Sequence, residues 1–171
     1  MTNFKDKKIL LVDDETDILK LLETVLLKEN FTNIYKATSG QEAIEMTKTI
    51  NPDLIVLDIM LPDMDGFQVC RQLREITLVP IIFLSARDED VDKLLGLGIG
   101  GDDYITKPFS PREVAFRIKA HFRRNEYLTL QSQAKENAEI TFGDIVINKD
   151  KGEIRKKGET ISLTAKEYSL L

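Results

Sequence analysis

Short apolar runs alternate with amphipathic stretches over the first 124 residues of the chain. Four of the predicted strands, 8–12, 53–57, 81–84 and 102–106, contain short apolar runs typical of buried parallel strands, and 33–37 is predicted as a further strand. Between the runs, apolar residues recur at helical spacing, as Ile18, Leu22, Val25 and Leu26 do in the first predicted helix, over 15–29. The pattern therefore predicts five strands, each followed by a helix.

Capping and breaking residues mark the ends of these helices. Ser39 precedes Glu42 by three positions, which is the spacing of a capping box at the start of the second helix. Asn51 and Pro52 end that helix near residue 50, and the third is predicted over 65–75. Glycines end the fourth helix, 88–98, and the sequence Ser110-Pro111 begins the last one.

Strands that alternate with helices imply a parallel sheet with helices on both faces, because the crossover connections are right-handed. We therefore predict an α/β fold with a doubly wound, five-stranded parallel sheet. If the first strand lies between the second and the third, the strand order is 2-1-3-4-5, the flavodoxin-like arrangement. The order then reverses between strands one and three, and ligands bind at the carboxyl ends of the strands near that point.

Composition and charge narrow the class of protein. The 171 residues are 42% hydrophobic and 31% charged, which suits one soluble domain plus a remainder. A formal net charge of −5 excludes a chain-wide basic surface for nucleic acid or anionic membrane, so any such contact would be local. The sequence has one cysteine, Cys70, and contains neither a signal peptide nor an apolar stretch of ~20 residues. These features predict a cytoplasmic protein without membrane contact.

Reactive or polar residues follow four of the five predicted strands. Asp13 and Asp14 follow the first strand, Asp58 the third, Ser85 the fourth and Lys107 the fifth. Because the carboxyl ends of parallel strands lie at one edge of the sheet, we expect these side chains to meet in one cleft.

Three carboxylates in one cleft repel one another, and a bound divalent cation relieves that repulsion. Oxygen ligands with no histidine or cysteine nearby favour Mg²⁺. Asp14 and Asp58 are the predicted direct ligands, and Asp13 would bind directly or through water. The backbone carbonyl of Met60 is the predicted further ligand.

Asp58, at the tip of the central strand, is the predicted nucleophile for phosphoryl transfer. A metal ion and the Lys107 ammonium would neutralise the phosphoryl oxygens, so transfer requires little more than positioning. Ser85 would donate a hydrogen bond to the transferred group. No general base is needed, and the only histidine of the sequence, His121, falls in the last predicted helix.

Four segments resemble the receiver domain of bacterial two-component response regulators: ILLVDDE at 9–15, LDIMLPDMDG at 57–66, FLSA at 83–86 and DDYITKPF at 102–109. The resemblance extends over about residues 7–124. It implies phosphoryl transfer from a sensor histidine kinase to Asp58, dependence on Mg²⁺ and a cis Lys107–Pro108 bond, in a protein that is not itself an enzyme. Ser85 stands where threonine is frequent in the family. Gly101 stands where alanine is usual, and we expect it to loosen the loop before the fifth strand.

A phosphoryl group on Asp58 would draw Ser85 toward it and vacate space into which Tyr104 can turn, which is a two-state packing change. The resemblance further implies a two-fold homodimer through the fourth helix, fifth strand and fifth helix. The charged pairs that match the family's interface are Lys93 with Glu113, Asp103 with Arg117, and Asp102 with Lys119.

The composition changes after residue 124, which ends the predicted receiver domain, 1–124. The polar segment 125–139 is typical of a linker. From Ile140 to Leu163 four strand-like alternations follow, and Thr164 with Glu167 has capping-box spacing. This order resembles the start of a winged-helix effector domain of the OmpR/PhoB type, here truncated over 140–171. It implies a transcription regulator that binds DNA in its full-length form but not through this chain.

Other functions compete with this interpretation. The nearest is a stand-alone receiver that signals by protein contact, and the residues after Ile140 argue against it. An aspartate-nucleophile phosphatase or mutase commonly carries a second aspartate two residues after the first, where Met60 stands. A flavodoxin-like electron carrier needs a phosphate-binding loop after the first strand, where Asp13 and Asp14 would repel FMN.

Overall fold

The computed structural model describes residues 3–86, 90–136, 139–142, 145–148, 153–156 and 159–162. The chain divides into two compact units, Met1–Phe122 and Arg123–Leu171. The elements of the first unit are β1 Lys8–Val12, α1 Thr16–Lys28, β2 Asn33–Ala37, α2 Gly40–Ile50, β3 Leu54–Leu57, α3 Gly66–Arg74, β4 Ile81–Ser85, α4 Asp90–Gly98, β5 Asp103–Thr106 and the first turns of α5 Pro111–Glu136.

The first unit confirms the predicted fold. Its five strands are parallel and lie in the order β2-β1-β3-β4-β5. Val12 is opposite Leu57 in the register of β1 and β3, so the two central strands end at the same level. The side chains of each strand alternate between two apolar layers, one with α1 and α5 and the other with α2 and α3.

Helix α1 buries a slightly different stripe from the predicted one. Leu19, Leu22 and Leu26 are buried, whereas Ile18 and Val25 are only partly buried. The prediction omitted Leu19, although its three- and seven-residue spacing to Leu22 and Leu26 places all three on one face. The helix therefore turns this leucine row, rather than Ile18, toward the sheet.

The predicted N-terminal cap of α2 is present, with one change of partner. The Ser39 hydroxyl accepts a hydrogen bond from the Glu42 N–H (3.2 Å), but the Glu42 carboxylate accepts from the Thr38 N–H (3.1 Å) rather than from Ser39. Asn51 ends α2 in the left-handed conformation. The predicted start of α4 near residue 88 lies outside the described residues.

Helix α5 continues to Glu136, so most of the predicted linker is helical. After it the second unit has four antiparallel strands: β6 Glu139–Phe142, β7 Ile145–Asn148, β8 Glu153–Lys156 and β9 Glu159–Ser162. Their order is β6-β7-β8-β9, and the register places four isoleucines, at 140, 147, 154 and 161, opposite one another. The predicted helix start at Thr164 and Glu167 lies outside the described residues, and the predicted domain limits stay predictions.

None of the helices in the described part of the chain has the length and apolarity of a membrane span.

Candidate functional site

The ends of β1 and β3 bring the predicted carboxylates together. Asp58 donates its N–H to the Val12 carbonyl at 2.9 Å, which joins the two strand ends. One carboxylate oxygen from each of Asp13, Asp14 and Asp58 lies within 4.8 Å of the other two. Asp13 and Asp58 are buried and Asp14 is exposed. The expected acidic cleft is therefore present, open to solvent on the Asp14 side.

Lys107 reaches into this cleft from the end of β5. Its Nζ lies 2.9 Å from Asp13 Oδ2, 3.1 Å from Asp58 Oδ2 and 3.7 Å from Glu15 Oε1. The Lys107 N–H donates to the Ser85 carbonyl at 2.8 Å, which fixes the backbone from which the side chain extends. The predicted cis Lys107–Pro108 bond is confirmed.

Burial and like charge set the protonation of the cleft. The pKa of Asp58 is raised from 3.8 to about 6, first by burial and then by the charge of Asp13, against hydrogen bonds from Met60 and Lys107. Burial alone would lower the pKa of Lys107, but its hydrogen bonds and ion pairs with Asp13 and Asp58 outweigh burial and raise that pKa. The lysine therefore stays charged, and the cleft attracts further positive charge.

The loop after Asp58 packs tightly against the acceptor backbone. The Met60 N–H donates to Asp58 Oδ1 at 3.1 Å, which orients the carboxylate. A Cβ atom on Gly66 would lie 2.4 Å from the Asp58 carbonyl oxygen, so only glycine permits α3 to begin this close to the acceptor. The Met60 carbonyl as a metal ligand stays a prediction.

The donor set fits a magnesium ion. The three aspartates are the one group of three His, Cys, Asp or Glu side chains in the described ranges with atoms close enough to share a metal ion, and every donor is an oxygen. Glu15, for which the sequence predicted no role, lies beside this group through its contact with Lys107. Its position directly after Asp14 is the feature of the sequence from which this placement could have been predicted.

The predicted switch residues lie on neighbouring strands. Ser85 is fully buried at the end of β4, and Tyr104 on β5 is half-buried with its ring centroid 6.0 Å from that of Phe83. Gly101 leaves no gap beside them, because a Cβ there would lie 2.3 Å from Phe83 Cε2. The loop before β5 thus packs on an aromatic ring, and the loosening expected from Gly101 stays a prediction.

The predicted interface residues on β5 and α5 are engaged within the chain. Arg117 pairs with Asp103 at 2.6 Å and with Glu113 at 3.0 Å. Asp102 pairs with Arg74 at 2.8 Å, and Lys119 pairs with Glu29. Lys93 lies half-buried on α4. Pairing of these residues between two chains stays a prediction.

Asp103 also contacts the only histidine of the sequence. His121 Nε2 lies 3.3 Å from Asp103 Oδ2, which places the histidine beside β5 and outside the acidic cleft. Burial would raise the pKa of Asp103, but contacts with His121, Tyr104 and Arg117 outweigh burial and lower it.

Known proteins share this fold. The sequence model of the response regulator receiver domain matches residues 9–119. A two-component response regulator from Clostridium difficile is 34% identical and superposes with a TM-score of 0.67, over 70% of this chain and 98% of that one. The BeF3-activated N-terminal receiver domain of Klebsiella pneumoniae RstA is 35% identical, with a TM-score of 0.65, over 68% of this chain and 99% of that one.

A third structure extends over nearly the whole chain. DrrB, an OmpR/PhoB homologue from Thermotoga maritima, is 29% identical with a TM-score of 0.60 and matches 96% of this chain and 70% of its own. Together with the acidic cleft and its lysine, these matches identify the first unit. The chain belongs to the response regulator receiver domains, which accept phosphoryl groups from histidine kinase phosphodonors in two-component signalling.

Proposed function

We propose that Asp58 is the phosphoryl acceptor of this receiver domain. The observation that carries the proposal is the Lys107 ammonium, which contacts both Asp13 and Asp58 in a buried acidic cleft. Asp58 ends the central strand, and its Oδ1 is held by the Met60 N–H. Asp13 and Asp14, adjacent in sequence at the end of β1, are better placed to hold a cation beside it.

Asp13, Asp14 and Asp58 would hold Mg²⁺, with the Met60 carbonyl as the further ligand. When bound, the ion supplies positive charge to the phosphoryl oxygens and to the carboxylates. Lys107 supplies a second positive charge, and Ser85 supplies a hydroxyl donor once the phosphoryl group has arrived. These residues bind and orient the group, so no side chain has to act as a general base.

In the transfer step a carboxylate oxygen of Asp58 attacks the phosphorus atom of the kinase phosphohistidine. The new O–P bond forms as the P–N bond breaks, and the departing imidazole nitrogen takes a proton from solvent. Asp58 becomes an acyl phosphate, and its kinase returns to the unphosphorylated form. The chain is thus the acceptor of the group and not an enzyme that turns over a separate substrate.

The output we propose is a dimer of an OmpR/PhoB-type transcription regulator. Its support is the similarity to DrrB over 96% of the chain and the four-stranded antiparallel sheet that follows α5. Ser85 and Tyr104 would transmit phosphorylation to the face that carries Lys93, Glu113 and Arg117. A winged-helix domain of the full-length protein would then bind DNA, in the cytoplasm. A stand-alone receiver that acts by protein contact remains the alternative.

Phosphorylation with a small donor tests the acceptor assignment. We expect acetyl phosphate with Mg²⁺ to add the mass of one phosphoryl group to the wild type and to Asp17→Ala, which removes an exposed carboxylate of α1. Asp58→Ala should gain nothing. A mass gain that survives Asp58→Ala would show that another residue is the acceptor.

A charge exchange tests the dimer and separates it from the stand-alone alternative. With beryllofluoride and Mg²⁺ the wild type should elute as a dimer, and Lys93→Glu should elute as a monomer. The double variant Lys93→Glu/Glu113→Lys should restore the dimer, because it recreates the pair with reversed signs. A wild type that stays monomeric under these conditions would favour the stand-alone receiver.

A further inference from the structure

We propose that Asp63 is a positioning residue for the phosphoryl and metal site: it anchors the loop between β3 and α3 to the N-terminus of α2 and so holds the Met60 backbone beside Asp58. The inference rests on the proposed function, because its consequence is measured at that site. Asp63 itself lies outside the acidic cleft.

Both oxygens of the Asp63 carboxylate are used in this anchor. Oδ1 accepts the Gly40 N–H at 2.8 Å and Oδ2 accepts the Gln41 N–H at 2.9 Å. These N–H groups belong to the first turn of α2, where the helix offers unpaired donors and the positive end of its dipole. The same hydrogen bonds lower the pKa of Asp63, so the carboxylate is ionised at neutral pH.

Packing adds to the hydrogen bonds. A Cβ atom on Gly40 would lie 2.5 Å from Met64 Cγ and 2.7 Å from Val69 Cγ2. The loop and α3 therefore rest directly on the backbone of α2, and the Met64 side chain occupies the space that any larger residue at position 40 would need.

The other end of the loop is tied to the acceptor. Met60 forms a β-bridge with Asp65, and the Gly66 N–H donates to the Ile59 carbonyl at 2.7 Å. The Met60 N–H donates to Asp58 Oδ1. Only Leu61 and Pro62 separate Met60 from Asp63, so a loop released from α2 would let the Met60 N–H and carbonyl turn away from Asp58.

The helix itself does not depend on Asp63 alone. Ser39 already caps α2 through the Glu42 N–H. Ser39 makes no described hydrogen bond to the β3–α3 loop, which provides a matched control: Ser39→Ala weakens the same helix end without touching the loop. A purely structural role of Asp63 would make the two variants alike.

The test compares Asp63→Ala with Ser39→Ala by Mg²⁺ titration calorimetry and by hydrogen exchange of the Met60 amide. We expect Asp63→Ala to weaken Mg²⁺ binding roughly tenfold, as loss of outer positioning contacts commonly does, and to speed exchange at Met60. Ser39→Ala should keep both values within about twofold of the wild type. Asp63→Asn keeps one acceptor oxygen, so its Mg²⁺ affinity and its exchange rate at Met60 should lie between those of the wild type and Asp63→Ala. This variant replaces Asp63→Ala in the test if Asp63→Ala does not fold.

The outcomes separate this inference from the proposed function. Equal Mg²⁺ affinity in the wild type, Asp63→Ala and Asp63→Asn would overturn the positioning role while leaving the acceptor assignment intact. Equal losses in Asp63→Ala and Ser39→Ala would overturn it as well, because they would report only a weakened helix. Absence of Mg²⁺ binding in the wild type would instead contradict the proposed function.

Discussion

Asp58 is 3% exposed and Asp13 is 2% exposed, although both carry carboxylates. Lys107 contacts both, but one ammonium cannot balance two buried negative charges with Asp14 nearby. Burial, and after it the negative charge of Asp13, raises the pKa of Asp58 to about 6. Without a bound cation, the excess negative charge of the cleft lowers the stability of the folded domain. The same charge favours cation binding, so the residues that would bind the cation are also residues that reduce stability.

The cost should appear in the absence of metal as a pH dependence of stability. The folded-state pKa of Asp58 lies above its ordinary value of 3.8, so its contribution is complete below that value and is lost as pH rises through about 6. In EDTA, the stability of the neutral variant Asp58→Asn relative to the wild type should therefore increase by about 2–3 kcal/mol as pH rises from about 4 to about 7. Urea unfolding at several pH values measures the difference. A stability difference between Asp58→Asn and the wild type that does not change with pH would show that the Asp58 charge does not destabilise the metal-free domain.

Gly101 gives a second prediction at this scale. A Cβ there would lie 2.3 Å from the Phe83 ring, so Gly101→Ala should destabilise the domain by about 1–3 kcal/mol through overpacking. Phe83→Leu replaces the ring by a smaller side chain, so adding Gly101→Ala to Phe83→Leu should cost less stability than adding it to the wild type. The double-mutant cycle, measured by urea unfolding, isolates the contact. Additive losses would show that the two residues do not compete for the same space.

Among the elements, the strands were the most predictable part of the molecule. Each buried strand is a short apolar run, and its end is marked by a polar residue such as Asp13 or Asp58, so the sheet and the cleft both follow from sequence. Helix faces were less predictable, because an amphipathic helix with extra leucines offers more than one apolar stripe. On α1 the choice between Ile18 and Leu19 is made by packing on the sheet, which the sequence does not contain.

Substitutions on α1 show which of its apolar residues contribute most to stability. Leu19 is 3% exposed, so Leu19→Ala should cost about 2–4 kcal/mol of the free energy of unfolding. Ile18→Ala should cost clearly less, because Ile18 is only partly buried. Leu21→Ala is the control, at 47% exposure, and should change stability by about 0.5 kcal/mol or less. A larger loss at Ile18 than at Leu19 would restore the stripe predicted from sequence.

At the scale of the whole molecule, ion pairs within one chain engage most of the predicted interface residues, namely Asp102, Asp103, Glu113, Arg117 and Lys119. The sequence predicted partners for Asp102 and Lys119 in a second chain, whereas each has a partner here, Arg74 and Glu29. Lys119 lies on α5, and Glu29, 90 residues away in sequence, directly follows the last residue of α1. No local pattern indicates such a pair, since it depends on how α1 and α5 pack and on which rotamers they allow. The cleft was predictable because strand ends converge by topology, and these pairs were not.

The Glu29–Lys119 pair gives the last prediction, which concerns dimerisation. If Lys119 pairs with Asp102 of a second chain, it must first leave Glu29, so the internal pair opposes the dimer. Glu29→Gln should then tighten the beryllofluoride-activated dimer about threefold to tenfold, because a two-fold interface contains the pair twice and each half-exposed pair contributes about 0.5 kcal/mol. Sedimentation equilibrium measures the dissociation constant.

The control for this prediction lies on α1, the helix that Glu29 directly follows. Glu23 pairs with Lys36 on β2 at 2.7 Å, so Glu23→Gln makes the same charge change without releasing Lys119. Equal dissociation constants for the wild type and Glu29→Gln would show that the internal pair does not compete. A weaker dimer in Glu29→Gln alone would mean that Glu29 holds Lys119 in place for the partner chain. A tighter dimer in Glu29→Gln but not in Glu23→Gln is expected only if Lys119 cannot pair with Glu29 and with Asp102 of a second chain at the same time. That result would show that the Glu29–Lys119 pair opposes dimerisation.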